Sequence, residues 1–276
     1  MCPPGCLEAM YNRAGRRGFL KTSMMAAAAV AYSAHPAPAA QTPRTFSNVL
    51  DLTHPLYEGF PTFDGSKWFT MEKMFTFAKE KLNINRWTVV EHTGTHMDAP
   101  LHFTADGHSV DQLPVTDLVV PVAVVDIAQR AQDNPDTALT PDDIRRWEAA
   151  NGPLPESCCV VMNSGWHRHL ASPMKFSGRD ETGKDHHFPG FHVETAHLLI
   201  SERNVKGIGV DTLSLDTGME TGSTFPTHYA WLGSGRWGVE NLANLDALPA
   251  KGATLVLGGP KVKGGTGGPS RVIALV

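Results

Sequence analysis

Three histidines, an aspartate and a glutamate fall within the twelve residues Glu91–His102, EHTGTHMDAPLH. Imidazole and carboxylate groups are ligands of zinc and manganese, and imidazole also carries protons near neutral pH. His92 and His96 are four apart, a spacing that puts two ligands on one face of a helix. Thr93, Gly94, Thr95 and Pro100 are poor helix residues, however, and the preceding WTVV reads as strand. In an extended chain side chains alternate. His92, Gly94, His96, Asp98, Pro100 and His102 then share one face, while Thr93, Thr95 and Met97 point the other way. On a flat strand His92 and His96 would stand ~13 Å apart, too far for both to hold one ion. A bend or bulge is therefore expected at Gly94, where no side chain resists close backbone approach.

The elements that must position this segment can be read along the chain. NVLDLT, RWTVVEH, LVVPVAVVDI, CCVVMNS, KGIGVD, ATLVLG and RVIALV are strand-like runs. LVVPVAVVDI (118–127) is apolar on both alternating sets, as a doubly covered strand would be, although Pro121 argues for an edge or bulge there. Two helices are expected. TPDDIRRWEAANG offers Thr140 as N-cap, Pro141 at the first position, Asp143 at the third and Gly152 past the end. HVETAHLLISERN runs from about His192 to Asn204. Strands outnumber helices and the two kinds mix, so the fold class is α/β or α+β with a sheet-rich core. No long linker or repeat follows residue 45, which makes residues 40–276 one domain.

The first 39 residues read differently. Arg16 and Arg17 precede GFLK, a mildly apolar stretch from Met24 to Tyr32 follows, and Ala37–Ala40 supplies small residues for cleavage. That is the layout of a secretory signal of the twin-arginine type, so a periplasmic location is expected. The apolar run is too short to anchor the chain in a membrane. Cys158 and Cys159 are neighbours, closer than a disulfide accepts, and read as buried thiols on a strand. The net charge of -4 with mixed signs, and no basic patch interleaved with aromatics, excludes nucleic acid as the expected partner. The glycine-rich GGTGGP lacks the Gly-Lys-Ser/Thr ending of a phosphate loop and reads as a turn between strands.

HTGTHMDAPLH fits every defining position of the H-x-G-T-H-x-D-x-P-x-H signature of the cyclase-like metal hydrolases, a family that includes bacterial kynurenine formamidases and isatin hydrolases. DLTHPLYEGFPTFDG, NSGW, FPGFHVETAHLLI, GIGVDTLSLD, FPTHYAWL, GVENLANLDALP and GGTGGPSRVIAL resemble further family segments in the family's order, so that the likeness spans nearly all of residues 47–276. The resemblance implies a single sheet-rich domain of the swivelling β/α type that forms homodimers or larger assemblies. It also implies that His92, His96, Asp98, His228 and Glu240 bind one or two divalent ions, zinc or manganese, with Asp98 and Glu240 as bridges in two-metal members. His102 takes the place of the family's proton carrier. Phe63 falls where members line the substrate pocket with an aromatic, often tryptophan. Asp211, Ser214 and Asp216 end a buried strand and either support the site or form a turn or cap. His108, His167, His169, His186, His187, His192 and His197 read mostly as surface residues, with His186 and His187 candidates for a pocket edge.

The chemistry agrees with the ligand set. A divalent cation lowers the pKa of a coordinated water, giving a hydroxide nucleophile, and polarises a carbonyl. A nearby histidine can hand the leaving nitrogen its proton. The expected function is a metal-dependent hydrolase that opens a C–N bond in an arylformamide or a cyclic amide such as isatin. The alternatives are a lactone or ester hydrolase on the same site, and an exported metal- or small-molecule-binding protein without catalysis.

Overall fold

The computed structural model describes residues 45–276, apart from Lys184 and Ser223. The expected export signal, with Cys2 and Cys6, lies outside the described residues. Among the described residues thirteen strands are present: β1 (Val49–Asp51), β2 (Phe69–Phe75), β3 (Ile84–Val89), β4 (His96–Asp98), β5 (Val119–Asp126), β6 (Ala138–Leu139), β7 (Cys159–Asn163), β8 (Gly190–Phe191), β9 (Gly207–Val210), β10 (Trp237–Glu240), β11 (Thr254–Gly258), β12 (Gly267–Pro269) and β13 (Arg271–Leu275). Nine form one sheet in the order β1-β13-β11-β5-β7-β9-β10-β4-β12. Its centre, β5-β7-β9-β10, is parallel, and antiparallel strands extend it on both sides.

Alternation along the central strands divides the core in two. Val122, Val124, Cys159 and Val161 face one apolar cluster, and Ala123, Val125, Val160 and Met162 face the other. The second cluster is covered by the three longest helices among the described residues, α1 (Pro141–Asn151), α2 (Val193–Ser201) and α3 (Pro226–Gly233). They bury Ile144 and Trp147, Ala196 and Leu199, and Trp231 and Leu232 respectively. The first cluster joins Met97 and Val239, from one end of the sheet, to Leu255 and Val272 from the other. Such residues meet only if the sheet curls. The backbone bond from Ala243 N–H to the Leu52 carbonyl (2.9 Å) and the Thr53–Leu242 bridge tie the curl shut. The sheet-rich α/β expectation holds.

Helix α1 begins where its capping signal falls. The Thr140 and Asp143 side chains serve each other's backbone N–H groups, and Gly152 follows the last turn. α2 is shorter than its periodic pattern and ends at Ser201. Cys158 and Cys159 are free and buried. Pro121 does not sit on an edge strand. It pairs with Thr254, and Val122 N–H bonds the Ala253 carbonyl, so the missing proline N–H faces the β7 side. β7 pairs only from Val122 onward, so no ladder bond is lost.

RWTVVEH ends as a strand at Val89, short of His92. Its partner β2, FTMEKMF, carries no clear alternation, and sequence patterning gives no sign of it. Together they form a separate hairpin in which Met71, Trp87 and Val89 share a face and are exposed. Among the described residues no helix is long and apolar enough to cross a membrane.

Candidate metal centre and active site

The residues singled out by type and spacing come together, though not on one extended strand. Only His96–Asp98 is strand. His92 lies in the turn before it, and His102 in a 3₁₀ turn, Pro100–His102, after it. Side-chain alternation therefore fails at both ends of this segment, because Gly94 and Pro100 break the extended backbone. The bend expected at Gly94 is present. Gly94 adopts φ +69°, and its carbonyl accepts from His96 Nδ1 (2.8 Å) and Asn241 Nδ2 (3.0 Å). The bend brings the His92 and His96 rings to 5.2 Å between centroids.

β10 lies against β4 with Glu240 opposite His96. Helix α3 supplies His228. The Asp216 carboxylate holds the start of this helix, accepting from Thr227 N–H (2.6 Å), His228 N–H (3.2 Å) and His228 Nδ1 (2.5 Å). It thus caps the helix and fixes the imidazole at once. Since His96 and His228 both donate through Nδ1, both turn Nε2 inward. His96 Nε2 stands 3.3 Å from Asp98 Oδ1 and 3.3 Å from Glu240 Oε2. His228 Nε2 stands 3.2 Å from Glu240 Oε1 and 3.6 Å from Asp98 Oδ2. Glu240 Oε1 also accepts the Leu215 N–H (2.8 Å).

Burial alone would lower the pKa of His96, but Asp98 and Glu240 outweigh it and raise the value to about 10. His228 is likewise raised, against the effect of burial, by Asp216, Asp98 and Glu240. Burial would raise Asp98 and Glu240, yet the facing histidines hold both below the usual carboxylate range. The cluster thus calls for positive charge, which a divalent cation supplies as well as protons do. His96 Nε2 and Asp98 Oδ2 are buried without a hydrogen-bond partner. Orphaned lone pairs of this kind are costly unless something binds them. Two groups have ligand atoms within 4.8 Å of one another, His92/His96/Asp98 and Asp98/His102/His228, and they share Asp98. The donor set, two carboxylates among imidazoles, fits zinc or manganese.

His102 stacks on His92 at 3.7 Å. Burial first, then the neighbouring His92 and His228, push its pKa down to about 4, so the ring is neutral near pH 7. The geometry alone places it as near to Asp98 and His228 as a ligand would be.

These groups floor a cavity of about 210 Å³ whose walls include Phe63, Trp68, Phe103, Leu213 and Phe225. Phe63 stacks on His186 (4.6 Å), and Arg179 Nη2 donates to the Phe63 carbonyl (2.8 Å). His186 is buried rather than at the surface, and its Nδ1 donates to the Ser177 carbonyl (2.8 Å). His167 is also withdrawn from solvent, 3.2 Å from Asp211. Sequence reasoning missed the other wall residues and Arg179; they come from separate segments, and no local pattern marks them. A larger groove, about 790 Å³, lined by Ser164, Trp166, Arg168, Lys175 and Arg179, contains none of the clustered groups.

A curled α/β sheet that gathers imidazoles and carboxylates under an apolar pocket defines the class, and comparison with known proteins supplies the family. The Cyclase family model, described as "Putative cyclase", matches residues 50–217. An isatin hydrolase of Roseibium aggregatum is 38% identical over 198 residues, 69% of this chain and 74% of its own. A kynurenine formamidase of Bacillus cereus is 28% identical over 177 residues, 62% of this chain and 71% of its own. The structure of isatin hydrolase A from Labrenzia aggregata bound to benzyl benzoate superposes with a TM-score of 0.77 at 35% identity, covering 83% of this chain and 93% of that one. The chain belongs to the cyclase family.

Proposed function

We propose that the protein is a metal-dependent amide hydrolase that opens the C–N bond of a cyclic amide of the isatin type, or of an arylformamide. One observation carries the reading: buried, unpartnered lone pairs on His96 and Asp98 converge beneath a small apolar cavity. The relatives' names support an amide substrate, and the cyclic amide is favoured by the isatin hydrolase likeness, which is stronger in identity.

His92, His96, Asp98, His228 and Glu240 would hold the metal. When bound, the cation supplies the Lewis acidity that activates water and polarises the scissile carbonyl. The chain's own residues do the rest. Phe63, Trp68 and Phe225 exclude bulk water and offer flat apolar surface to an aromatic ring. His102, neutral and lying at the same cavity, takes a proton from the attacking water and returns one to the departing nitrogen. Asp216 keeps His228 from turning.

Ring-opening of isatin by the purified protein with manganese or zinc, beside a chelated control, tests this. Chelator-sensitive turnover is expected. Metal binding without turnover of isatin, formylkynurenine or lactones would sink catalysis and leave a binding protein. We also propose a homodimer, for which the lone hairpin β2–β3 with its exposed Met71 and Trp87 is the available apolar face; a monomer by light scattering refutes it. Export to the periplasm is proposed on residues 1–39, and unprocessed cytoplasmic protein on cell fractionation refutes that.

A further inference from the structure

The glycine-rich segment before β13 has no part in the roles assigned so far, yet it presses on a metal-site histidine. Thr266 Oγ1 lies 3.0 Å from His92 Nε2 and 2.5 Å from Glu91 Oε2. Thr266 N–H also points at the Glu91 carboxylate, 3.3 and 3.4 Å from its oxygens. The next residue, Gly267, lies opposite Asp98 in the β12–β4 ladder. A Cβ there would collide with the Met97 carbonyl oxygen and sit 2.6 Å from His92 Cε1, so only glycine lets this strand close on both β4 and the ring. His102 covers a ring face. His92 is thus clamped at Nε2, at its Cε1 edge and across a face.

Counting hydrogens fixes which nitrogen of the neutral ring carries the proton. A carboxylate only accepts, so the single hydroxyl hydrogen of Thr266 goes to Glu91. The Thr266 oxygen is then left to accept, and His92 Nε2 must carry the hydrogen that it receives. In the neutral imidazole Nδ1 is therefore a bare lone pair, and it faces Asp98 Oδ1 at 2.7 Å. Two acceptors at that distance need a proton between them or a cation beside them. His96 and His228 are set the opposite way: each donates through Nδ1, to the Gly94 carbonyl and to Asp216, and turns Nε2 inward.

We propose that Thr266 and Glu91 are positioning residues that hold His92 in its Nε2–H form and so present Nδ1 to the metal. The inference rests on the metal-centre reading above. It concerns ligand orientation, and it holds whatever the substrate is. The outer partner of a ligating histidine fixes its tautomer and commonly contributes ~10–100-fold in metal affinity.

The test is metal affinity of the full chain, stripped and titrated with manganese or zinc against a competing chelator. Thr266→Val keeps the shape and cannot accept from Nε2. Glu91→Ala frees the Thr266 hydrogen to turn toward Nε2, which favours the wrong tautomer. Both should bind ~10–100-fold more weakly than wild type. Thr266→Ser and Glu91→Gln keep an acceptor in place and should recover most of the loss. The unfolding temperature of the metal-free variants should match wild type, and the visible absorption of the cobalt-loaded Thr266→Val protein should shift with its donor set. Equal affinity of Thr266→Val and wild type overturns the proposal. So does a loss that Thr266→Ser shares. Should Thr266→Val fail to fold, unchanged affinity of Glu91→Ala overturns it instead. If wild type binds neither metal, the metal-centre reading falls, and this inference with it.

Discussion

Two buried carboxylates, Asp98 and Asp211, differ in one respect that separates chemistry from architecture. Asp211 is satisfied: it accepts from Ser164 N–H (3.1 Å), Ser164 Oγ (2.6 Å), Trp166 N–H (2.8 Å) and His167 Nδ1 (3.2 Å). It pins the turn after β7. Asp98 is as deeply buried, yet its Oδ2 has no hydrogen-bond partner and faces His228 and the unpartnered Nε2 of His96 lies nearby. Burial is alike in the two. A carboxylate whose lone pairs are filled holds the chain together, and one whose lone pairs converge unfilled with others holds a place for a ligand.

The sharpest way to break the contrast is to remove Asp98. Asp98→Ala should cost metal affinity by more than the ~10–100-fold typical of an outer partner, read by metal content after gel filtration. His102→Ala comes next. It should lower kcat by ~10²–10⁴-fold while metal content stays at the wild-type level; loss of the metal instead would make His102 a ligand. Asp216→Asn and Asp211→Asn set the comparison within one loop. The first should weaken metal binding by ~10–100-fold, because His228 loses its anchor. The second should leave affinity alone and cost ~1–3 kcal/mol of stability in denaturant unfolding, because an amide N–H2 would face donors. If Asp211→Asn also releases metal, the division between the two carboxylates fails.

The smallest effect concerns Asp143 at the start of α1. Burial would raise its pKa, but the Arg130 guanidinium, bound at 2.9 and 2.7 Å, and the Thr140 backbone hold it down to about 2. The folded value lies below the unfolded one. This carboxylate's contribution is therefore complete above about pH 4 and fades as pH falls toward 2. The unfolding temperature should drop across that window, and Asp143→Asn should flatten part of the drop.

What could be read in the sequence follows the range of the interactions that make it. Helix α1 was legible because Thr140, Pro141, Asp143 and Gly152 act on their own neighbours. The bend at Gly94 was legible from a distance argument within five residues. His102 was placed on the right side of the site for the wrong reason, since Pro100 turns the chain into a 3₁₀ turn rather than prolonging the strand. Hairpin strand β2 was not legible: its apolar residues other than Phe69 are exposed, so no core imposed a period on them. The burial of His186 depends on Phe63, over a hundred residues earlier, and no local signal reports it. The same holds for the cavity walls.

Strand β4 carries two of the clustered side chains and is held on one side by β10 and on the other by β12. Both neighbours are far downstream, at residues 237–240 and 267–269. Pairings of such sequence separation are late steps in folding, because the entropy of closing the loop must be met before the contact forms. A chain still emerging from the ribosome thus has its first histidines and Asp98 but no centre. The cluster is complete only once residues 237–240 lie against strand β4, so any ion it holds is taken up late in folding rather than at its start.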